Sequence, residues 1–228
     1  MKTRVVFSLP PGPLQIGLIE ADGVRVGPSR PAYLERISAE VAPILAPEWI
    51  FPDNYQKGIR SLLKAYGFHP SGRNRPASEF LVKDLLGRGA FNPINNVVDI
   101  NNHLSLTTHL PISIFDRAKA GDDLILRVGI EGEQYVFNRE GQELSLKHLL
   151  LVARHDTTPA GTPVGSPVKD SQATKVFEDT SSITGVVYSS QSLLTGAALA
   201  EVMTRFATLL REEAMATDVE WKILDGPQ

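Results

Sequence analysis

The apolar residues change period along the chain, from blocks spaced for helices to blocks spaced for strands. In PAYLERISAEVAPIL, Leu34, Ile37, Val41 and Leu45 recur at helical intervals, and Pro31 is tolerated in a first turn. QKGIRSLLKAYGF predicts a second helix ending near Gly67, and Ser78 to Leu86 a third that stops at Gly87. From Leu124 onward LILRVGI, EQYVF and HLLLVARHD are strand-like, separated by GD, EGE and NREGQ turn chemistry. At the N-terminus RVVFSL and LQIGLIEADGVRVG, with a turn signal at Asp22-Gly23, predict a small hairpin. ITGVVYSS predicts another strand. Leu199, Val202, Met203, Phe206, Leu209 and Leu210 form one stripe of a long helix, and DVEWKIL predicts a closing strand. The small-residued, proline-broken stretch from 156 to 175 predicts a long loop. No repeat or linker-like shift divides the 228 residues, so we expect a single compact α+β domain over residues 1–228.

One segment asks for a reason. NPINNVVDINNHLSLTTHLPISIFD concentrates asparagines, which are poor helix formers and costly core residues. On a helix Asn95, Asp99 and Asn102 share one face, and Val97, Ile100 and Leu104 share the opposite one. One side packs and the other displays donors and acceptors, either as a solvated or loop-capping face or as a polar network beside a site. We expect an enclosed polar niche where this helix meets the proline-broken connector. On the connector side the candidates are Gly165, Lys169 and Asp170, where small residues let backbone N–H groups approach a ligand.

Several chemistries are excluded or unsupported. Without cysteine there is no disulfide framework, thiol nucleophile or thiolate zinc site. The five histidines, at 69, 103, 109, 148 and 155, have no metal-ligand spacing, so neither a metal nor another cofactor is expected. GTPVGSP is not a phosphate-cradling loop, and GxSxG is absent. No apolar run is long enough for a membrane span, and that of MKTRVVFSLPPGPL is too short for a secretory signal, so the expected compartment is the cytoplasm. Net charge −3 argues against a surface that embraces nucleic acid as a whole. A local patch remains: between Lys57 and Arg88 seven Lys or Arg face Glu79 and Asp84. Within it Arg60, Lys64, Arg73 and Arg75 are candidates for RNA phosphates, with a solvated helix pair as the alternative.

The series Pro93-Ile94-Asn95-Asn96-Val97-Val98-Asp99, Asn102, Leu110-Pro111, Phe115-Asp116, Thr174-Lys175-Val176 and Glu178-Asp179-Thr180 resembles the tRNA-binding and editing domain of the phenylalanyl-tRNA synthetase beta subunit, the B-three/B-four domain. The resemblance covers about residues 50 to 190, and RNRPASEFL looks like the upstream helical region of freestanding relatives. It implies mixed β-sheets in an unusual three-layer sandwich with flanking helices. It also implies a pocket that receives the 3′ end of a mischarged tRNA and hydrolyses the wrong amino acid from it. Where the synthetase pattern has a pocket histidine this chain has Ser113, and where it has a glutamate this chain has Tyr188 or Ser189. The remaining polar set is Asn95, Asn101 and Asn102 with Asp99. The resemblance thus implies a trans-editing deacylase that acts on aminoacyl-tRNA, whose tRNA binding weakens with salt. The alternative is a noncatalytic module binding an amino-acid-like ligand or a tRNA end.

Overall fold

The computed structural model describes residues 1–72 and 74–227. Its elements run β1 (Arg4–Ser8), β2 (Leu14–Asp22), α1 (Pro31–Val41), α2 (Asp53–Ala65), α3 (Ala77–Arg88), α4 (Asn96–Thr108), β3 (Ile112–Asp116), α5 (Arg117–Ala120), β4 (Asp123–Val128), β5 (Gln134–Val136), β6 (Glu143–Ser145), β7 (Leu150–Arg154), β8 (Thr162–Gly165), β9 (Ser182–Ser190), α6 (Gly196–Glu213) and β10 (Asp218–Asp225). An antiparallel sheet has the order β10-β2-β9-β3, a mixed sheet the order β1-β4-β7-β8, and β5 and β6 form a separate ribbon. The fold is α+β.

Period-two alternation distributes side chains between two cores. Leu14, Ile16 and Leu18 of β2 and Val186 and Tyr188 of β9 face Leu124, Leu126 and Leu150 to Ala153 of the mixed sheet. Ile19 and Ala21 of β2, Ile183 and Val187 of β9, and Ile112 and Ile114 of β3 face α1, α4 and α6 on the other side. The antiparallel sheet is therefore buried on both faces, which is why β2 and β9 read as nearly continuous apolar runs. Helix α6, capped by Thr195 Oγ on the Ala198 N–H, lays Leu199, Met203, Phe206 and Leu210 on this sheet. Each such side chain contributes roughly 1.5–3 kcal/mol by burial. Close approach needs a bare strand, since a Cβ on Gly17 would lie 2.2 Å from Met203 Sδ. On the helical side His103 is enclosed by Tyr33, Glu40 and Arg205, with Tyr33 Oη 3.1 Å from Nδ1 and Glu40 Oε2 3.1 Å from Nε2.

Three local expectations change. The N-terminal strands do not form a hairpin: β1 pairs in parallel with β4, while β2 lies between β10 and β9. The Asp22-Gly23 turn is real, with Gly23 at φ 69, but it ends β2 and leads toward α1. Helix α3 runs through Gly87 and ends at Arg88 with a left-handed Gly89, because a glycine weakens a helix without stopping it. The stretch from 156 to 175 contains β8, which pairs with β7, and a 3-10 turn at Gln172–Thr174, so it is sheet edge and turn joined by short loops.

Candidate functional site

The β3 strand is one edge of the antiparallel sheet, and its outer hydrogen-bonding groups are met by side chains. Asn101 Nδ2 donates to the Ile112 carbonyl at 3.4 Å, and the Ile114 N–H donates to Asp170 Oδ2 at 3.3 Å. Helix α4 and the segment after β8 are thereby fastened to one strand. Between them opens a cleft of about 840 Å³. Asn95 at the cap of α4, Val98, Asn101 and Asn102 within it, Val168 to Asp170 with Gln172 and Lys175, and Phe80, Phe137 and Arg139 contribute to its walls. That volume suits a small ligand.

The asparagines divide their work. Asn95 Oδ1 caps α4 by accepting the Val98 N–H at 2.9 Å, and the residue also lines the cleft. Asn96 is turned away: its Nδ2 donates to the carbonyls of Arg25 and Glu213, and its Oδ1 accepts from Gly27 N–H. Asp99, expected in the pocket, is a correction. It is fully buried, accepting from Ser29 Oγ at 2.6 Å and from Ile94 N–H at 2.8 Å, so it anchors the turn before the helix. Burial pushes its pKa up against those two hydrogen bonds. Helical geometry gives the reason, because the cleft face is the Asn95, Val98, Asn101, Asn102 row, and Asp99 lies off it.

Ser113 and Tyr188 lie behind the cleft rather than in its lining. Alternation along β3 turns Ile112 and Ile114 to the cleft and Ser113 and Phe115 toward the mixed sheet, leaving Ser113 1% exposed. Ser113 Oγ donates to Asp170 Oδ1 at 2.6 Å, and the Tyr188 hydroxyl, 3.1 Å away, donates to Ser113. The Ser166 N–H also reaches Asp170 Oδ1, at 3.3 Å. Ser166 Oγ in turn donates to the Lys169 carbonyl at 2.8 Å, and Tyr135 closes on that same carbonyl. Gly165 sits beneath this network, since a Cβ there would fall 2.3 Å from Asp170 Oδ1 and 2.4 Å from the Phe115 ring.

Lys169, Lys175, Glu140 and Glu178 bring charge to the cleft wall, and so does Asp170. Burial pushes its pKa up to about 7, against the opposing effects of Ser113, the two N–H donors and Lys175. A carboxyl titrating near neutrality in a cleft has the properties of a general base. Lys175, half-buried across from it, donates to the Phe137 carbonyl at 2.6 Å and has its pKa held down by burial. Lys169 Nζ lies 3.8 Å from the centroid of the Phe137 ring. Sequence reasoning did not single out Lys175, Phe80 or Phe137 as lining. Lys175 stood in the Thr174-Lys175-Val176 match and Phe80 among the aromatic residues interleaved with the basic Lys57 to Arg88 segment, whereas Phe137 carried no local signal.

The basic candidates separate. Arg60 is held in a two-bond ion pair with the buried Glu79, at 2.7 and 2.6 Å, which makes it a strut between α2 and α3 and corrects its reading as a phosphate ligand. Lys64 is exposed on α2 and lines neither this cleft nor the groove beside it. Arg75 lines that neighbouring groove. Arg73 lies outside the described residues. Two matched motifs contribute framework residues: Thr180 Oγ donates to Asp116 Oδ2 at 2.8 Å, and Asp116 also caps α5, while Glu178 of the same match lines the cleft. Among the described residues no group of three His, Cys, Asp or Glu is placed to hold a metal, and no helix is long and apolar enough to cross a membrane.

A family model described as the B3/4 domain matches residues 67–193. A stretch of 61 residues, 27% of this chain, is 39% identical to the phenylalanine–tRNA ligase beta subunit of Rhodopseudomonas palustris and spans 8% of that protein's length. An N-terminal fragment of the phenylalanyl-tRNA synthetase beta-subunit from Pyrococcus horikoshii aligns with a TM-score of 0.42 and 15% identity, over 56% of this chain and 40% of that one. With more than half of its residues matched by the family model, the chain belongs to the B3/4 domain family.

Proposed function

We propose that the chain binds the aminoacylated 3′ end of a tRNA and hydrolyses the ester in trans, in the cytoplasm, with Asp170 as the base. The observation that carries this reading is the Asp170 carboxyl itself, partly buried in the wall of a cleft of substrate size, oriented by Ser113 and the Ser166 and Ile114 N–H groups, with its pKa pushed up to about 7 by burial. Membership in the B3/4 family and the partial likeness to phenylalanine–tRNA ligase beta subunits support the choice of substrate.

In this scheme ionised Asp170 takes a proton from a water as its oxygen attacks the ester carbonyl. The developing oxyanion meets the Asn102 amide and the Lys175 ammonium, both in the cleft lining. Collapse breaks the bond to the ribose oxygen, which receives the proton from Asp170. Ser113 is a positioning residue, since it touches Asp170 and is closed off from the cleft.

A second reading, a binding module without turnover, is favoured by that same enclosure: the residue standing at the family's histidine position does not reach a ligand. A deacylation screen across mischarged tRNAs separates the two. We expect Asp170→Asn to bind but lose turnover by at least a hundredfold, a typical general-base contribution, and Asn102→Ala to lose less. Wild-type protein that binds aminoacyl-tRNA yet leaves it as stable as buffer does would establish the noncatalytic reading.

A further inference from the structure

A groove of about 1110 Å³ runs beside the cleft and shares Phe80, Phe137, Asn138 and Lys169 with it, so the two form one continuous depression. One wall is the outer face of α3, where Phe80, Lys83 and Gly87 follow one another at helical steps. The other is the turn and start of β6 in the β5–β6 ribbon. Phe80 is 48% exposed, an aromatic ring left in water at the rim of the cleft. Lys83 is exposed and makes no ion pair among the described residues. The groove's Asp84 is neutralised by Arg88, whose Nε donates to it at 2.8 Å, which leaves Glu143 as its unpaired acid among the described residues.

Gly87 is the informative residue. It lies in the last turn of a helix, where alanine would be more stable, and a Cβ built there meets nothing within 4 Å. The protein's own packing does not require a bare backbone at this position. Gly87 lines the groove, so a large side chain placed there would enter it.

We propose that this groove is the track of a single-stranded RNA end, with a base stacked on Phe80 and phosphates met by Lys83 and Arg75, delivering the terminal residue into the cleft. Exposed aromatic rings alternating with cations along a channel are the chemistry that holds single-stranded nucleic acid. The proposal rests on the aminoacyl-tRNA reading above and names the surface that reading requires.

The test is fluorescence anisotropy with a short oligoribonucleotide of the tRNA 3′ terminal sequence, aminoacylated through a stable 3′-amide, alongside the aminoacyl-adenosine amide alone. Lys83→Glu and Gly87→Phe alter the groove only, and Gly87→Phe fills it from a helical position with open space around it, so its melting temperature should not fall. We expect Phe80→Ala, Lys83→Glu and Gly87→Phe each to weaken the oligonucleotide on the order of tenfold or more. Lys83→Glu should also reduce the slope of log affinity against log salt by about 0.7. The adenosine amide should bind Lys83→Glu and Gly87→Phe as it binds wild type. Oligonucleotide affinity unchanged in all three variants would overturn the groove and leave the cleft reading standing. Wild-type protein that ignores the oligonucleotide would overturn both.

Discussion

Replacing Asp170 by Asn should change how stability depends on pH, and the structure sets both sign and size. The carboxyl titrates at about 7 in the fold against 3.8 for an ordinary aspartate in water, because burial outweighs its hydrogen bonds. Below about pH 3.8 it is protonated in both states and contributes no pH dependence. Between that value and 7 the native state holds a proton that the unfolded state has released, so this group lowers stability by about 1.4 kcal/mol for each pH unit of increase. Above 7 the penalty is constant, on the order of 4 kcal/mol at its ceiling. Asparagine removes the titration at a fixed cost, since its Nδ2 faces the Ile114 N–H in place of an acceptor, about 1 kcal/mol. Urea unfolding of both proteins from pH 4.5 to 8 should therefore show the stability of Asp170→Asn, relative to wild type, rising by about 2 kcal/mol or more up to pH 7 and then levelling. A difference that stays flat, or that falls as pH rises, would mean that the carboxyl is ionised in the fold at acid pH, and the assignment of a base near neutrality would be lost.

Arg60→Ala should cost about 2 kcal/mol in chemical denaturation, because Glu79 is left buried without its partner, while oligonucleotide affinity stays at the wild-type value; a tenfold loss of RNA binding would restore Arg60 to the interface. His103, which burial pushes down to about 4, should show no NMR titration above pH 5, and its contribution lowers stability as pH falls from 6.5 toward 4, opposite in sign to that of Asp170. A His103 ring titrating near 6.5 would contradict its enclosure by Tyr33, Glu40 and Arg205. Gly165→Ala should destabilise by about 2 kcal/mol and abolish turnover together, since its methyl group displaces Asp170; a variant with full activity would show that the carboxylate need not sit where it does.

The helical blocks and strands were readable because each is amphipathic or continuously apolar at its own period: α1, α2, α4 and α6 follow from spacing, and β4, β7 and β9 from short apolar runs. Strand pairing was not readable. The N-terminal segments looked like a hairpin because neighbours in sequence usually pair, yet β1 and β2 join different sheets, a choice made by long-range burial of β2 on both faces. The meeting of the asparagine-rich helix with the segment after β8 was legible in outline, but which asparagine serves the cleft was not. Asp99 and Asn96 are separated from Asn101 and Asn102 by the direction their positions face once α4 is packed against α6 and β3.

Residue identity alone determined that no thiol chemistry operates here, that α4 carries amides on a helix with an apolar back, and that the chain matches its family over the middle of its length. Only the tertiary structure decided that burial raises the proton affinity of Asp170 in the cleft wall, that Ser113 stands behind it, and that Arg60 is bound to Glu79. The division has one physical cause. Period and composition are local properties of the chain, whereas the proton affinity and reach of a side chain depend on which distant groups remove it from water.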